Sequence, residues 1–268
     1  MTPATTEPTL RLDSALREEA DFANQDYAPH ANRLEIDPGM FRRYTDPRDL
    51  SDWRQLSSIL LGDLTGKTLL DYGCGMGEES IYFAKLGATV TGIDISEVGV
   101  ASLKKRAEFH KLPVTALQMR VDPTTFADAS FDRIHGLGIL HHVGIGAGLR
   151  EVDRLLKPGG IAVFLEPLGD NPVIEAAKTW LMMNARFIGE FDHVTEHERN
   201  LTWKEIQDET ARFANVATFP YHLLYRLKRF LPKSGLPLAR RIDHSMLTLF
   251  PSLRTFAGGV VIRVQKAE

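Results

Sequence analysis

A glycine-rich segment that follows a short apolar run most constrains the fold of this chain. Residues 69–79 read LLDYGCGMGEE, so an apolar run ends at Asp71 and helix-forming residues follow shortly after it. Three glycines stand at alternate positions between them, Gly73, Gly75 and Gly77. Glycine lets a backbone turn tightly and approach a ligand closely. The segment therefore predicts a strand, a cofactor-binding loop and a helix within a parallel α/β sheet.

Short apolar runs alternate with amphipathic stretches from Lys67 onward, a pattern typical of βαβ units. The runs predict seven strands, at residues 68–72, 89–93, 114–119, 133–136, 161–165, 216–219 and 260–264. Helices are predicted among them at residues 79–86, from the cap residue Ser96 to about His110, and at 149–156. The sequence therefore predicts an α/β fold with a doubly wound, mostly parallel, seven-stranded sheet.

The flanks of this core are predicted to be helical. Residues 1–62 form a polar tail and a helical gate, and residues 63–268 form the α/β domain. Two helices are predicted in the gate, one from Asp13 to about Asn24 and one from Asp46 onward. Two insertions interrupt the α/β domain, a lid at about residues 167–201 and a helical stretch at about 223–250. Long insertions of this kind usually cover or line a binding site.

Composition excludes several classes of protein. Lys and Arg number 32 against 35 Asp and Glu, a net charge of −3, so there is no general positive field to bind nucleic acid. The one cysteine, Cys74, can form neither an internal disulfide nor a cysteine zinc cluster, which favours a reducing compartment. The sequence contains neither an apolar secretory segment nor an apolar window long enough to cross a membrane. We expect a cytoplasmic protein.

The residues around the glycine loop predict which cofactor it holds. The spacing G-x-G-x-G departs from the G-x-G-x-x-G of dinucleotide loops, and Glu78 and Glu79 occupy the first helical turn, where they would repel a phosphate. Asp94 ends the second strand, 23 positions after Asp71, where a carboxylate can accept hydrogen bonds from both ribose hydroxyls. S-adenosylmethionine (SAM) fits, because it carries an adenosine and a cationic, phosphate-free tail. A nicotinamide dehydrogenase is the least favoured alternative.

These motifs resemble the class I SAM-dependent methyltransferases, in particular the small-molecule group that includes the ubiquinone/menaquinone-type C-methyltransferases. The matching segments are LLDYGCGMGEES, VTGIDIS, SFDRIHGLGILHHV and LLKPGGIAVFLEP, in the family's order. The resemblance covers about residues 66–167. It implies a Rossmann-like fold and a SAM cofactor.

The resemblance also implies cofactor-binding residues. The methionine and ribose parts of SAM would lie against Asp71, Gly73, Cys74 and Gly75, with Asp94 on the ribose and Ile95 on the adenine. The adenine amino group would lie near Asp122, although Pro123 departs there from the family pattern. The SAM ammonium would be received by the backbone of Gly136, Leu137 and Gly138. Tyr44 would gate the cofactor from the N-terminal side, or else pack on the sheet edge.

Candidates for acting on the acceptor follow the fourth and fifth strands. Methyl transfer is an in-line displacement that needs alignment, and a general base only where the acceptor must lose a proton. His141 is the first candidate, with His142 and Glu166 beside it, because ligands bind outside these strand ends. The alternatives are a structural or cofactor-contacting role for His141 and a chain-turning role for Glu166.

The predicted function is methylation of a small-molecule acceptor, with SAM as donor. Two alternatives stay open, an enzyme that cyclises SAM and releases methylthioadenosine, and a SAM-binding module without activity. No metal is expected, because His193 and His197 stand at helical spacing without a third ligand and better fit a charged, solvated helix face.

Overall fold

A seven-stranded sheet forms the centre of the molecule in a computed structural model, which describes residues 14–37, 52–169, 200–223, 225 and 233–268. The strands are β1 (Thr68–Tyr72), β2 (Thr89–Asp94), β3 (Val114–Gln118), β4 (Phe131–Leu137), β5 (Leu156–Pro167), β6 (Asn215–Tyr221) and β7 (Gly259–Gln265). Their order in the sheet is β3-β2-β1-β4-β5-β7-β6. The first five are parallel, and β7 is antiparallel to both β5 and β6. The predicted fold class is therefore confirmed.

Helices cover both faces of the sheet. They are α1 (Ser14–Tyr27), α2 (Trp53–Leu61), α3 (Glu78–Lys85), α4 (Glu97–His110), α5 (Leu140–Val143), α6 (Ile145–Leu155), α7 (Trp203–Thr210) and α8 (Leu236–Leu249). Short 3-10 turns occur at Ala28–His30, Lys233–Gly235 and Pro251–Phe256. The hydrophobic core falls into two clusters, one on each face of the sheet.

Strand β1 shows why the central strands are nearly continuous apolar runs. Leu69 packs into one cluster and Leu70 into the other, and both side chains are fully buried. Because both faces of a parallel sheet are covered by helices, its central strands need apolar side chains at successive positions. Burying each leucine contributes up to about 2 kcal/mol to folding.

Several predicted boundaries shift in the structure. The helix predicted at 149–156 is α6, which begins at Ile145, and Leu156 already belongs to β5, because it pairs with Phe131 across a register shift. The second N-terminal helix, predicted from Asp46, has its described part at Trp53–Leu61. Its N-cap is Asp52, whose side chain accepts a hydrogen bond from the backbone N of Arg54 at 3.1 Å. Residues 38–51 lie outside the described residues.

The lid insertion lies mostly outside the described residues, which resume at residue 200. Its two ends meet, because Leu168 and Leu201 form an isolated parallel bridge. The backbone N of Gly169 donates to the carbonyl of Leu201 at 3.0 Å. The insertion therefore leaves and rejoins the fold at one place, beyond the carboxyl end of β5. Within the second insertion α8 is described, and the predicted domain boundary at residue 62 stays a prediction.

None of the described helices is long and apolar enough to cross a membrane.

Candidate active site

A cavity of about 410 Å³ lies where the sheet changes its winding direction, at the carboxyl ends of β1, β2, β3 and β4. Open α/β sheets bind their ligands at this position. The sheet side of the cavity is lined by residues that follow these strands, Gly73, Asp94, Ile95, Arg120, Val121, Asp122, Leu137, Gly138 and Ile139. Of the predicted cofactor residues, the structure therefore brings Gly73, Asp94, Ile95, Asp122 and Leu137 together around one space.

The glycine loop is held by the neighbouring strand. The backbone N atoms of Gly73 and Cys74 both donate to the carbonyl of Ile93, at 3.0 and 2.9 Å. Gly73 has a φ of +79°, and a Cβ atom there would lie 2.7 Å from Cδ1 of Ile139. Because both the backbone angle and the space require glycine, the loop keeps this part of the cavity open.

Asp94 joins the glycine loop to the start of α4. Its Oδ2 accepts from the backbone N of Gly75 and its Oδ1 from the backbone N of Ser96, both at 2.8 Å. Burial raises the pKa of Asp94 above its ordinary value, although these two hydrogen bonds act in the opposite direction. A carboxylate offers about four acceptor positions. Since two N–H donors are found on Asp94 among the described residues, it retains capacity for hydroxyl donors of a ligand.

Four other predicted cofactor residues are not among the described residues that line the cavity. Asp71 is 2% exposed, and its Oδ2 accepts from Oγ of Ser80 at 2.5 Å. Its Oδ1 lies 3.5 Å from Nδ1 of the buried His135, so this carboxylate supports the loop from beneath. Burial raises the pKa of the Cys74 thiol, which fits a small packing residue. The other two, Gly75 and Gly136, also do not line the cavity in the part of the chain that the structure describes.

The two glutamates at the start of α3 do not face the cavity either. Oε1 of Glu79 lies 3.6 Å from Nε of Arg54, and Oε1 of Glu78 lies 3.4 Å from a terminal nitrogen of the buried Arg106. Each carboxylate has a guanidinium beside it, which offsets its negative charge. The expected repulsion of a phosphate by these two glutamates is therefore not supported. The loop spacing and Asp94 remain as the features that favour SAM.

Helix α1 forms the opposite wall of the cavity, through Leu16, Glu19, Phe22, Ala23, Asp26 and Tyr27. The sequence predicts this helix as part of a gate but assigns the gating role to Tyr44, which lies outside the described residues. The spacing of the lining positions, i, i+3, i+7 and i+10 from Leu16, is a helical stripe that could have been found in the sequence. Tyr27 lies beside the loop, since a Cβ atom on Gly75 would be 3.2 Å from its hydroxyl oxygen.

Glu166 is fully buried and its carboxylate is occupied by one short segment. Its Oε1 accepts from the backbone N of Ile139 and of Leu140, at 2.9 and 2.8 Å. Its Oε2 lies 2.8 Å from Nδ1 of His141. A carboxylate only accepts hydrogen bonds, so Nδ1 of His141 is the protonated nitrogen in this pair. Glu166 therefore holds His141 and the amino end of α5 from a fully buried position.

The two histidines of α5 stand between two cavities. Their ring centroids are 4.1 Å apart, and Nδ1 of His142 lies 2.8 Å from Oε1 of Glu19 on α1. His142 lines the first cavity and also a second one of about 450 Å³, which His141 lines as well. Residues of α6 and α7 complete the second cavity, including Arg150, Glu205 and Glu209.

No group of three or more His, Cys, Asp or Glu side chains that could hold a metal ion is found among the described residues. The pair His193 and His197 lies outside them.

Comparison with known proteins gives one family model, the methyltransferase domain, which matches residues 70–164. A ubiquinone biosynthesis O-methyltransferase of Pseudomonas paraeruginosa is 40% identical over 119 residues, 41% of this chain and 47% of that protein. The uncharacterized methyltransferase YodH of Bacillus subtilis is 29% identical over 114 residues, 42% of this chain and 49% of that protein. The matched regions thus span about half of these relatives' length.

Solved structures share the fold at low sequence identity. The geranyl diphosphate C-methyltransferase of Streptomyces coelicolor has a TM-score of 0.62 at 18% identity, covering 96% of this chain and all of that one. The YcgJ protein of Bacillus subtilis has a TM-score of 0.54 at 19% identity, covering 80% of this chain and 97% of that one. These matches show the fold, and the family model identifies residues 70–164 as a methyltransferase domain. The domain belongs to the class I SAM-dependent methyltransferase family.

Proposed function

We propose that this protein is a SAM-dependent methyltransferase that acts on a small-molecule acceptor. The observation that carries the proposal is the cavity at the switch point of the sheet, lined by Gly73 and Asp94 and closed on one side by α1. Its volume, about 410 Å³, lies within the range of small-ligand sites. The family match over residues 70–164 supports SAM as the ligand.

The lining residues fit the parts of SAM. In this proposal the spare acceptor positions of Asp94 accept from the ribose hydroxyls, and Ile95 and Asp122, which line the same cavity, contact the adenine. The backbone of Leu137 and Gly138, on the same cavity wall, receives the ammonium group. When bound, SAM supplies a methyl group on a positively charged sulfur. What this chain supplies is orientation, together with exclusion of water by α1.

His141 is the proposed general base. Glu166 holds the proton on Nδ1 of His141, so its Nε2 has a free lone pair. We place the acceptor in the second cavity, because His141 and His142 line it and His142 also lines the cofactor cavity. Nε2 can then accept the proton of an acceptor hydroxyl. The match to an O-methyltransferase supports oxygen as the methylated atom.

Binding of SAM tests the cofactor assignment. The variant Asp94→Ala removes the buried acceptor, and the Kd for SAM should rise about tenfold or more, because hydrogen bonds to a charged group contribute about 1.5–3 kcal/mol each. Asp208→Ala is a matched control, since that carboxylate is exposed on α7 and pairs with Lys204 of the same helix. Calorimetry measures both. Equal affinity in wild type and Asp94→Ala contradicts the cofactor assignment.

Turnover tests the reaction. Purified protein is incubated with SAM, alone and with a panel of hydroxylated aromatic acids, and the nucleoside products are followed by mass spectrometry. S-adenosylhomocysteine that forms only with an acceptor supports methyl transfer, and His141→Gln should then lower kcat by about 10²-fold or more while SAM affinity is kept. Methylthioadenosine that accumulates without an acceptor contradicts the proposal, because SAM is then itself the substrate.

A further inference from the structure

Helix α1 is attached to the rest of the fold by contacts of two different kinds. At its carboxyl end, Oδ1 of Asn24 accepts from Oγ of Ser96 at 2.7 Å and from the backbone N of Val98 at 3.2 Å. Tyr27 packs on the same place, since a Cβ atom on Gly99 would lie 3.3 Å from its Cδ2. These are contacts between uncharged groups, and they tie this end of α1 to the start of α4 at every ordinary pH.

About one and a half turns toward the amino end, α1 is attached through an acid and a base. Oε1 of Glu19 lies 2.8 Å from Nδ1 of His142, and the two side chains are 29% and 23% exposed. A carboxylate and a protonated imidazole form a charge-assisted hydrogen bond, which is about twice as strong as its neutral counterpart. The strength of this attachment therefore depends on the protonation of His142.

The Glu19–His142 pair lies at the cofactor cavity. Glu19 and His142 both line the cavity, from opposite walls, so their hydrogen bond closes the space between α1 and α5. A ligand enclosed between α1 and the strand ends leaves more easily when α1 swings away. Because the Asn24 end is held by uncharged contacts, the Glu19 end is the one that can be released by a change of charge.

Other charged groups also surround His142. The ring of His141 lies against that of His142 at a tilt of 37°, and His141 is itself held by Glu166. Further charged side chains line the two cavities that it borders, Arg120, Asp122 and Asp94 with Asp26 of α1 on one side, and Arg150, Glu205 and Glu209 on the other. Carboxylates outnumber arginines in this set, so the surroundings favour the protonated form of His142.

We propose that Glu19 and His142 form a latch that retains SAM beneath α1 and that loosens as His142 loses its proton. Glu19 is then a positioning residue, since it acts through His142. The identity of the ligand rests on the function proposed above, but the latch itself is a property of the ligand-free protein. Because a neutral imidazole loses the charge assistance, the latch is stronger at pH 6 and weakens as the pH rises toward 8.

Cofactor affinity gives the first test. The Kd for SAM is measured at pH 6 and pH 8 for wild type, Glu19→Gln, His142→Phe and the double variant. Glu19→Gln should raise the Kd about three- to fivefold at pH 6, as expected for a partly exposed ion pair, and should reduce the difference between the two pH values. In the His142→Phe background, Glu19→Gln should leave the Kd for SAM unchanged at both pH values. Glu18→Gln is the matched control, with the same charge change one residue earlier on an exposed side chain.

Hydrogen exchange gives a second test that needs no ligand. The backbone amides of α1 should exchange faster in Glu19→Gln than in wild type or Glu18→Gln at pH 6, and the difference should shrink at pH 8. Equal exchange in all three proteins overturns the latch, as does a loss of affinity that persists in the His142→Phe background. If Glu19→Gln shows the faster exchange but wild-type protein does not bind SAM, the latch stands and only the proposed function is contradicted.

Discussion

Asp94 and Glu166 are both carboxylates at strand ends, yet their surroundings give them different roles. Asp94 lines a cavity and holds two backbone N–H groups, so it can accept more hydrogen bonds from a ligand. Glu166 is fully buried and is occupied by the backbone and side chain of residues 139–141. The sequence places both at the carboxyl edge of the sheet, and only their partners distinguish a carboxylate with spare acceptor positions from one that is fully occupied.

The variant Glu166→Gln tests whether Glu166 orients His141. A glutamine oxygen can still accept from the backbone N of Ile139, but its NH₂ group cannot accept the Nδ1 proton of His141. We expect kcat to fall about 10- to 100-fold, as for other residues that orient a catalytic histidine. The KM for SAM should change little, and steady-state kinetics measures both. If Glu166 served only for packing, kcat would be kept in every variant that folds.

Gly99→Ala tests the close approach of α4 to the glycine loop. Alanine ordinarily stabilises a helix by up to about 1 kcal/mol relative to glycine. Here a Cβ atom would lie 2.7 Å from the carbonyl oxygen of Gly75, so we expect about 1–2 kcal/mol of destabilisation and weaker SAM binding. Urea unfolding and calorimetry measure the two effects. The control Ala101→Gly, on an exposed position of α4, should lose stability and keep its SAM affinity.

At the scale of elements, the amino ends of β1, β4 and β5 meet on one side chain. Oδ2 of Asp132 accepts from the backbone N of Thr68 at 2.9 Å, from Oγ1 of Thr68 at 2.7 Å and from Nζ of Lys157 at 2.9 Å. Burial acts to raise the pKa of Asp132, but the hydrogen bonds from Thr68 and Lys157 outweigh it and hold the pKa well below its ordinary value. The ionised carboxylate therefore stabilises the edge of the sheet opposite the active site.

This depressed pKa predicts a pH dependence of stability. A carboxyl whose pKa is lower in the folded state stabilises the fold above its ordinary pKa, and this contribution is lost as the pH falls toward the folded value. Asp132→Asn should therefore lower the free energy of unfolding by about 1–2 kcal/mol at pH 7. The difference from wild type should shrink below pH ~4. Urea titrations at pH 7, 5 and 3.5 measure it. If the difference in free energy of unfolding between wild type and Asp132→Asn is the same at all three pH values, the loss of stability comes from packing and not from the charge.

At the scale of the whole molecule, the cofactor cavity is closed by parts of the chain that lie far apart in sequence. One wall comes from α1, and the other comes from the loops that follow β1 to β4. The strands behind them, β4, β5 and β7, are paired along their length and belong to the buried core. The molecule thus combines a paired central sheet with an active edge whose outer wall is a single helix.

Hydrogen exchange with saturating SAM tests this division. We expect slower exchange at α1 and at the glycine loop, because bound SAM contacts both walls of the cavity. The amides of β4, β5 and β7 should not gain local protection beyond the general increase in stability that any ligand of the folded state provides. Asp94→Ala at the same SAM concentration is the control. Protection confined to another part of the surface would place the SAM site elsewhere.

The sequence by itself determined what depends on neighbours along the chain. Strand β1 has its predicted bounds, the glycine loop follows it, and Ser96 caps its helix through a hydrogen bond from the backbone N three residues ahead. These features are local, since a cap, a tight turn or an apolar period is complete within a few residues. The same local pattern was enough to predict the fold class and to favour a SAM cofactor.

Only the tertiary structure decided which side chains meet. Glu78 and Glu79 are paired with arginines at positions 106 and 54, Asp71 turns beneath the loop toward His135, and Glu19 reaches His142 across the cavity. Such partners are separated by about 25 to 120 residues, and their meeting depends on strand order and on how helices lie over the sheet. No local period encodes that arrangement, which is why the sequence indicated Asp71, Glu78 and Glu79 but not what each one holds.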